Sequence, residues 1–197
     1  DALCREVWRE WVGRGYSGAA AHFEQPVSGD QLAFLEALSQ IFSRSGKRVY
    51  VPEAYGSQLP LAYIMICTAL SGGIFQQRLE EAVRRFGSGR LALDLQRLRM
   101  DFPLPCPSGE GTPLTNEALR AMMAEKQPSV FYSADLCARY FTCIREGDSH
   151  FVLFDDAGTI TRKIQAGQAL GIPTGFLLYP ETEDLLPQLF GRSAPRG

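Results

Sequence analysis

The 197-residue chain has little of what several common functions need. Its only histidines are His22 and His150, and neither stands at a metal-ligand spacing, so a catalytic metal is not expected. No G-x-G-x-x-G or G-x-x-x-x-G-K-[ST] occurs, and "GSGR" at 87–90 precedes a strand rather than opening a helix, so nucleotide phosphates have no cradle. No G-x-S-x-G is present, which leaves Ser-His-Asp nucleophilic chemistry without support. Lys and Arg form no run and the net charge is −2, so no nucleic-acid footprint is expected. The longest apolar stretch, around Leu59–Leu70, falls short of the roughly 18 residues that span a bilayer, so no membrane partner is expected. The five cysteines, Cys4, Cys67, Cys106, Cys137 and Cys143, are odd in number and do not imply a disulfide framework; buried or idle thiols fit them best, and a Cys137–Cys143 pair is the alternative.

What is present is a repeated strand–helix order. Leu3, Val7, Trp8, Trp11 and Val12 make one face of an opening helix that "GRG" ends. A strand over Ala19–Glu24 comes next. Ser28 with Gln31 is a capping-box pair, and Leu32, Leu35, Leu38 and Phe42 stripe the helix behind it. "RVYVPEAYG" (48–56) reads as a strand. "LAYIMICTAL" (61–70) is a continuous apolar run of the kind that suits a parallel strand covered on both faces. A helix with Phe75, Leu79, Ala82, Val83 and Phe86 inward leads to the strand "RLALDLQRL" (90–98). The proline-rich "DFPLPCPSGEGTPLT" (101–115) reads as a long loop, and a short helix over Asn116–Ala124 comes after it. "RYFTCI" and "HFVLF" flank "REGDS" as an antiparallel hairpin. "DDAGTITRKIQAGQALG" is a helix closed by Gly171, "TGFLLYPE" (174–181) is the last strand, and Thr182 is placed to cap a final helix. Residues 1–190 form a single domain on this reading, with 191–197 a flexible tail.

About five core strands in β-α order imply a parallel sheet with right-handed crossovers. Polar residues at the carboxyl ends of such strands face the ligand. Here those ends carry Glu24, Glu53, Thr68, Asp94 or Gln96, and Tyr179 with Glu181. Alternation along the first strand puts Ala20, His22 and Glu24 on one face and Ala19, Ala21 and Phe23 on the other. A glutamate at the mouth of a barrel protonates a leaving group if burial raises its pKa. His22 could set its proton affinity, or it could serve as a hydrogen-bonded interior histidine.

At this point the sequence resembles a family. "SGAAAHFEQP" is similar to the fourth-strand motif DGxDxDxE of family-18 glycoside hydrolases, the chitinase-like barrels, with Gly18, Glu24 and Pro26 matching. "AYIMICTA" resembles their sixth strand through Met65. "HFVLFDDAGTITRKIQAGQALGIPTGFLLYPE" resembles their closing segment through Asp155, Asp156, Lys163, Gly171 and Gly175. The resemblance implies an α/β fold: a partial (β/α)8 TIM-type barrel, strands four to eight, with a small β-hairpin insertion. The remaining strands would lie on another segment or be replaced by a partner copy. It implies Glu24 as the catalytic acid and His22, Tyr55, Cys67, Asp94, Tyr179 and Glu181 as substrate-binding residues. It also implies a polysaccharide or oligosaccharide ligand of N-acetylglucosamine type, no cofactor, and a lean towards the cell exterior or envelope.

The family's reaction is substrate-assisted: the glutamate protonates the glycosidic oxygen, the sugar's N-acetyl group attacks, and an aspartate two residues before the glutamate steadies that group. This chain departs from the pattern. Ser17, Ala20 and His22 occupy the motif aspartate positions, Cys67 and Thr68 those of the sixth-strand tyrosine and aspartate, and Tyr179 that of the eighth-strand tryptophan. A histidine cannot supply a carboxylate's charge to a developing oxazolinium, and losing such stabilisation costs several kcal/mol of barrier. The expectation is saccharide binding with lost or much reduced hydrolysis. The alternatives are an active divergent glycosidase in which Glu53, Asp94 or Glu181 compensates, and a non-catalytic α/β structural or interaction module.

Overall fold

The structure, a computed structural model, describes residues 2–23 and 27–191. Glu24, the expected acid, lies outside the described residues.

Helix α1 (Ala2–Arg14) leads to strand β1 (Gly18–Ala20), helix α2 (Gly29–Arg44) and strand β2 (Arg48–Pro52). The α2 N-terminus is closed by the capping box read from the sequence: the Ser28 hydroxyl accepts from the Gln31 amide, and Gln31 reaches back to the Ser28 amide. Strands β3 (Tyr63–Cys67) and β4 (Leu91–Asp94) enclose helix α3 (Phe75–Phe86). After β4 comes a long excursion: β5 (Arg99–Leu104), β6 (Thr112–Pro113), α4 (Asn116–Lys126), β7 (Phe131–Ser133), β8 (Ala138–Arg145) and β9 (Asp148–Phe154). Helix α5 (Ala157–Ala169), strand β10 (Thr174–Phe176) and the short helices α6 (Tyr179–Thr182) and α7 (Leu186–Leu189) complete the chain.

Two sheets result. The first is parallel throughout, in the order β1-β2-β3-β4-β10. Val49, Val51, Ile64, Ile66, Leu91 and Leu93 point outward into the core beneath the helices, with Leu35, Leu38, Phe42 and Leu79 opposite. The alternate residues Tyr50, Met65 and Ala92 fill the inside with Tyr63 and Phe176. The sheet curls enough for Tyr50 on β2 and Phe176 on β10 to meet edge to face, 4.9 Å between ring centroids, although β3 and β4 separate their strands. This is a parallel half-barrel, consistent with part of a TIM-type barrel. Among the described residues β1 and β10 each pair on one side only.

The second sheet is antiparallel, β6-β5-β9-β8-β7. The small hairpin expected here is therefore an undercount. β8 and β9 do pair across the Glu146–Gly147 turn, but within a five-stranded sheet. Helix α4 covers one face, packing Leu119 and Met122 on Phe141, Val152 and Phe154. The expected loop over 101–115 is also corrected, because residues 99–104 pair along β9. Pro103 is tolerated because it lies past the end of β6, where its strand has one neighbour. His150 is buried with Nδ1 2.9 Å from Asp101, a structural pairing across this sheet.

The closing strand is shorter than the sequence suggests. It stops at Phe176, and Pro180 begins a helical turn over Tyr179–Thr182. Thr182 makes no side-chain cap for the turn after it; its hydroxyl donates to the Leu178 carbonyl from a buried position. All five cysteines are free, and no described helix is long and apolar enough to cross a membrane.

Candidate functional site

Parallel strands bring their carboxyl ends to one side. In register, Cys67 on β3, Asp94 on β4 and Phe176 on β10 form a single row at that end of the half-barrel. Beyond it opens a cleft of about 780 Å³. Ala20, His22, Met65, Asp94, Gln96 and Phe176 line the sheet side. Arg97, Arg99, Met100, Pro113 and Leu114 form the wall facing the antiparallel sheet, and Leu178 and Glu181 close a third side. The alternation expected along the first strand is seen here. Ala20 and His22 face the cleft, while Ala19, Ala21 and Phe23 pack towards the helical core.

Asp94 is the best-anchored acid of the mouth. Its backbone carbonyl accepts from the Thr68 amide and hydroxyl at 3.0 and 3.1 Å, and its carboxylate accepts from the Gln96 side chain at 2.8 Å. Burial pushes the Asp94 carboxyl above the usual range and the Glu181 carboxylate adds to the rise; the Gln96 hydrogen bond and His22 oppose it. Cys67 donates towards Gln96 at 3.7 Å, and burial pushes its thiol up. It stands beside the cleft without lining it. Asp94 and Cys67 therefore keep their protons to higher pH than the same groups would in water.

Other residues singled out from the sequence stand elsewhere. Tyr55 is buried in the core under α2, where its hydroxyl donates to Gln31 at 2.7 Å. Glu53 is held by Arg78 of α3 and lies off the cleft. Tyr179 is exposed on α6, donates to Glu183 at 2.6 Å, and belongs to a separate shallow groove with Pro187 and Phe190. The bond to Glu183 raises its phenol pKa. His22, Asp94 and Glu181 are thus brought to one cleft, and Tyr55, Tyr179 and Glu53 are not.

Arg97 and Arg99 went unnoticed in the sequence. Arg97 Nη1 donates to the Glu181 carbonyl at 2.9 Å and to Asp184 at 2.6 Å. Arg99 is spent on the Leu114 carbonyl and on Asn116, with Glu181 3.9 Å away. These two cations pin the segment carrying Glu181 and Asp184 against the wall; Arg120 holds Asp184 from its other side. The two arginines flanking Leu98 were the available signal, but the groups that hold Arg97 lie more than 80 residues on. The acids of the closing segment are structural. Asp155 and Lys163 are both fully buried and paired at 2.7 Å, and Asp156 caps α5 while binding Arg139. Among the described residues no group of three or more His, Cys, Asp or Glu side chains is placed to hold a metal ion.

Comparison with protein-family models and with curated protein sequences gives no match. Comparison of structures does. The spore cortex-lytic enzyme SleL of Bacillus cereus is similar over 95% of this chain and 52% of its own, with TM-score 0.66 and 18% identity. A chitinase from Chromobacterium violaceum is similar over 87% of this chain and 64% of its own, TM-score 0.64, 18% identity. A mutant class V chitinase from Nicotiana tobaccum, in complex with NAG4, is similar over 97% and 73%, TM-score 0.62, 12% identity. The chain spans about half to three quarters of these structures. A half-barrel of parallel strands with an open cleft at their carboxyl ends, superposable on these enzymes, gives this chain the chitinase-like fold of family-18 glycoside hydrolases.

Proposed function

We propose that the chain is a saccharide-binding domain of chitinase type, with hydrolysis lost or much reduced, and that β1, β2, β3, β4 and β10 correspond to strands four to eight of the barrel. The observation that carries this reading is the cleft itself. It lies at the carboxyl ends of the parallel strands, and Ala20 and His22 line it where the family pattern has aspartates. The likeness to a chitinase structure holding NAG4 supports a ligand of N-acetylglucosamine type.

Binding and turnover separate for a physical reason. Sugars are held by hydrogen bonds and by apolar contact with ring faces, which Gln96, Asp94, Met65 and Phe176 can supply. Substrate-assisted cleavage also needs a fixed negative charge against the N-acetyl group as it becomes cationic. His22 does not provide it. Isothermal titration with chitin oligosaccharides, run beside a product assay, tests this: binding with no product above the blank is expected, and absence of binding overturns it.

One observation favours a second reading, an active divergent glycosidase. Asp94 and Glu181 both face the cleft, and either would supply the second carboxylate that such an enzyme uses. In that case Glu24 is the acid and one of these two is the partner at the roughly 5–10 Å typical of such pairs. Measurable product that disappears in Glu24→Gln would establish it. Product unchanged in that variant would remove Glu24 from the role.

A further inference from the structure

Asp94 stands on the sheet side of the cleft, half-buried, with one oxygen engaged. Its Oδ2 accepts from the Gln96 side chain at 2.8 Å. Its Oδ1 meets no donor among the described residues and is not sealed from solvent. Gln96 is itself held at its other end, where its amide oxygen accepts the Cys67 thiol at 3.7 Å. The Asp94 carboxylate is thus fixed in orientation, and a fixed acceptor facing a cleft selects for a donor on whatever fills it.

Its place matters as much as its chemistry. In the sheet order, β2 and β3 separate β4 from β1, yet the curl that brings Tyr50 onto Phe176 turns the two strand ends towards one cleft, which His22 and Asp94 both line. Burial is the largest influence on the Asp94 carboxyl and raises it; His22 is among the groups that lower it, so the two side chains lie within electrostatic reach. His22 occupies the position, two residues before Glu24, where the chitinase pattern has an aspartate. The carboxylate missing from β1 therefore has a counterpart facing the same cleft from β4. The other acids singled out are worse placed. Glu53 is held by Arg78 off the cleft, and Glu181 stands on α6 with its carboxylate 3.9 Å from Arg99.

We infer that Asp94 takes over from β4 the task that the family pattern gives to an aspartate at the His22 position: its Oδ1 accepts the N–H of the ligand's acetamido group, which makes Asp94 the specificity-determining residue of the cleft. The inference rests on the saccharide-binding reading and names the residue that selects its ligand. An amide N–H only donates and a carboxylate only accepts, whereas a sugar hydroxyl does both. That difference sets the test.

Chitin oligosaccharides and cello-oligosaccharides of equal length, which carry a hydroxyl in place of the acetamido group, are titrated into the unaltered protein, Asp94→Asn, and Asp94→Asn combined with His22→Asp. Asparagine keeps the shape and an oxygen for Gln96 but turns an NH2 towards the ligand N–H. Affinity of Asp94→Asn for chitin oligosaccharides should fall about ten- to a hundredfold, as for an unsatisfied donor pair. A cello-oligosaccharide hydroxyl can reverse its role, so any affinity for that probe should change less than about threefold. Returning a carboxylate to β1 in the double variant should recover about tenfold or more of the loss, which a misfolded protein could not do. An unchanged affinity of Asp94→Asn for chitin oligosaccharides overturns the inference alone. So does a double variant no better than the single, or an equal loss for both probes. No binding of chitin oligosaccharides by the unaltered protein overturns the saccharide reading with it.

Discussion

Replacing Lys163 by methionine tests the energetics of the fold most directly. Lys163 and Asp155 are fully buried, and the ammonium lies 2.9 and 2.7 Å from the two carboxylate oxygens. Asp155 is also a junction. It accepts from the Leu98 amide at 3.0 Å and the Thr159 hydroxyl at 2.7 Å, and its own amide donates to the Leu98 carbonyl at 2.8 Å. It thereby ties the end of β9 and the start of α5 to the chain leaving β4. Methionine matches the lysine stem in volume and leaves no large cavity, so the loss isolates the charge. A buried carboxylate stripped of its counter-ion costs about 3–5 kcal/mol. With a urea m-value of about 2 kcal/mol/M, the unfolding midpoint should fall by roughly 1.5–2.5 M. The double variant Asp155→Asn/Lys163→Met removes both charges and keeps an oxygen for the Leu98 amide, while the Thr159 hydroxyl can donate to the Asp156 carbonyl and accept from the new amide group. It should recover more than half of the loss, because no unpaired charge remains. A single variant that loses less than about 1 kcal/mol, or a double variant no better than the single, would refute the account.

Two further outcomes rest on the packing and charge of the half-barrel. Burial raises the Asp94 carboxyl in the folded state, so its stabilising contribution is complete below the unfolded pKa and fades as pH rises through the folded one. Asp94→Asn should therefore gain stability relative to the unaltered protein between pH 3 and pH 7; urea midpoints at the two pH values, compared between the proteins, check the sign. Gly167 brings α5 onto β4 so closely that an added Cβ would stand 2.7 Å from Leu93 Cδ1. Gly167→Val should destabilise by about 1–3 kcal/mol, read from the same urea curves, through overpacking in addition to any change in helix propensity.

Much of the fold was legible because it is written locally. The α2 capping box, the Leu35, Leu38 and Phe42 stripe and the apolar run at Tyr63–Cys67 are patterns within a few residues, and each formed as read. The strand over 99–104 was hidden because Pro103 and Pro105 read as breakers, while pairing with β9, some 50 residues on, overrides them. Pro180 hid the end of β10 in the opposite sense, since an apolar run looked like strand until a proline-initiated turn cut it short.

The site divides in the same way. Sequence by itself determined which residues alternate onto the inner face, so Ala20, His22 and Asp94 could be assigned to the mouth from periodicity and strand ends. It could not tell that Tyr55 would turn under α2 to reach Gln31, or that Glu53 would be claimed by Arg78. Nor could it show that Arg97 would be drawn to Glu181 and Asp184 from across the chain. Those outcomes are competitions among polar groups for partners distant in sequence, and only the tertiary structure, by setting which groups come within hydrogen-bonding reach, decides which side chains are consumed in holding the fold and which are left facing the cleft.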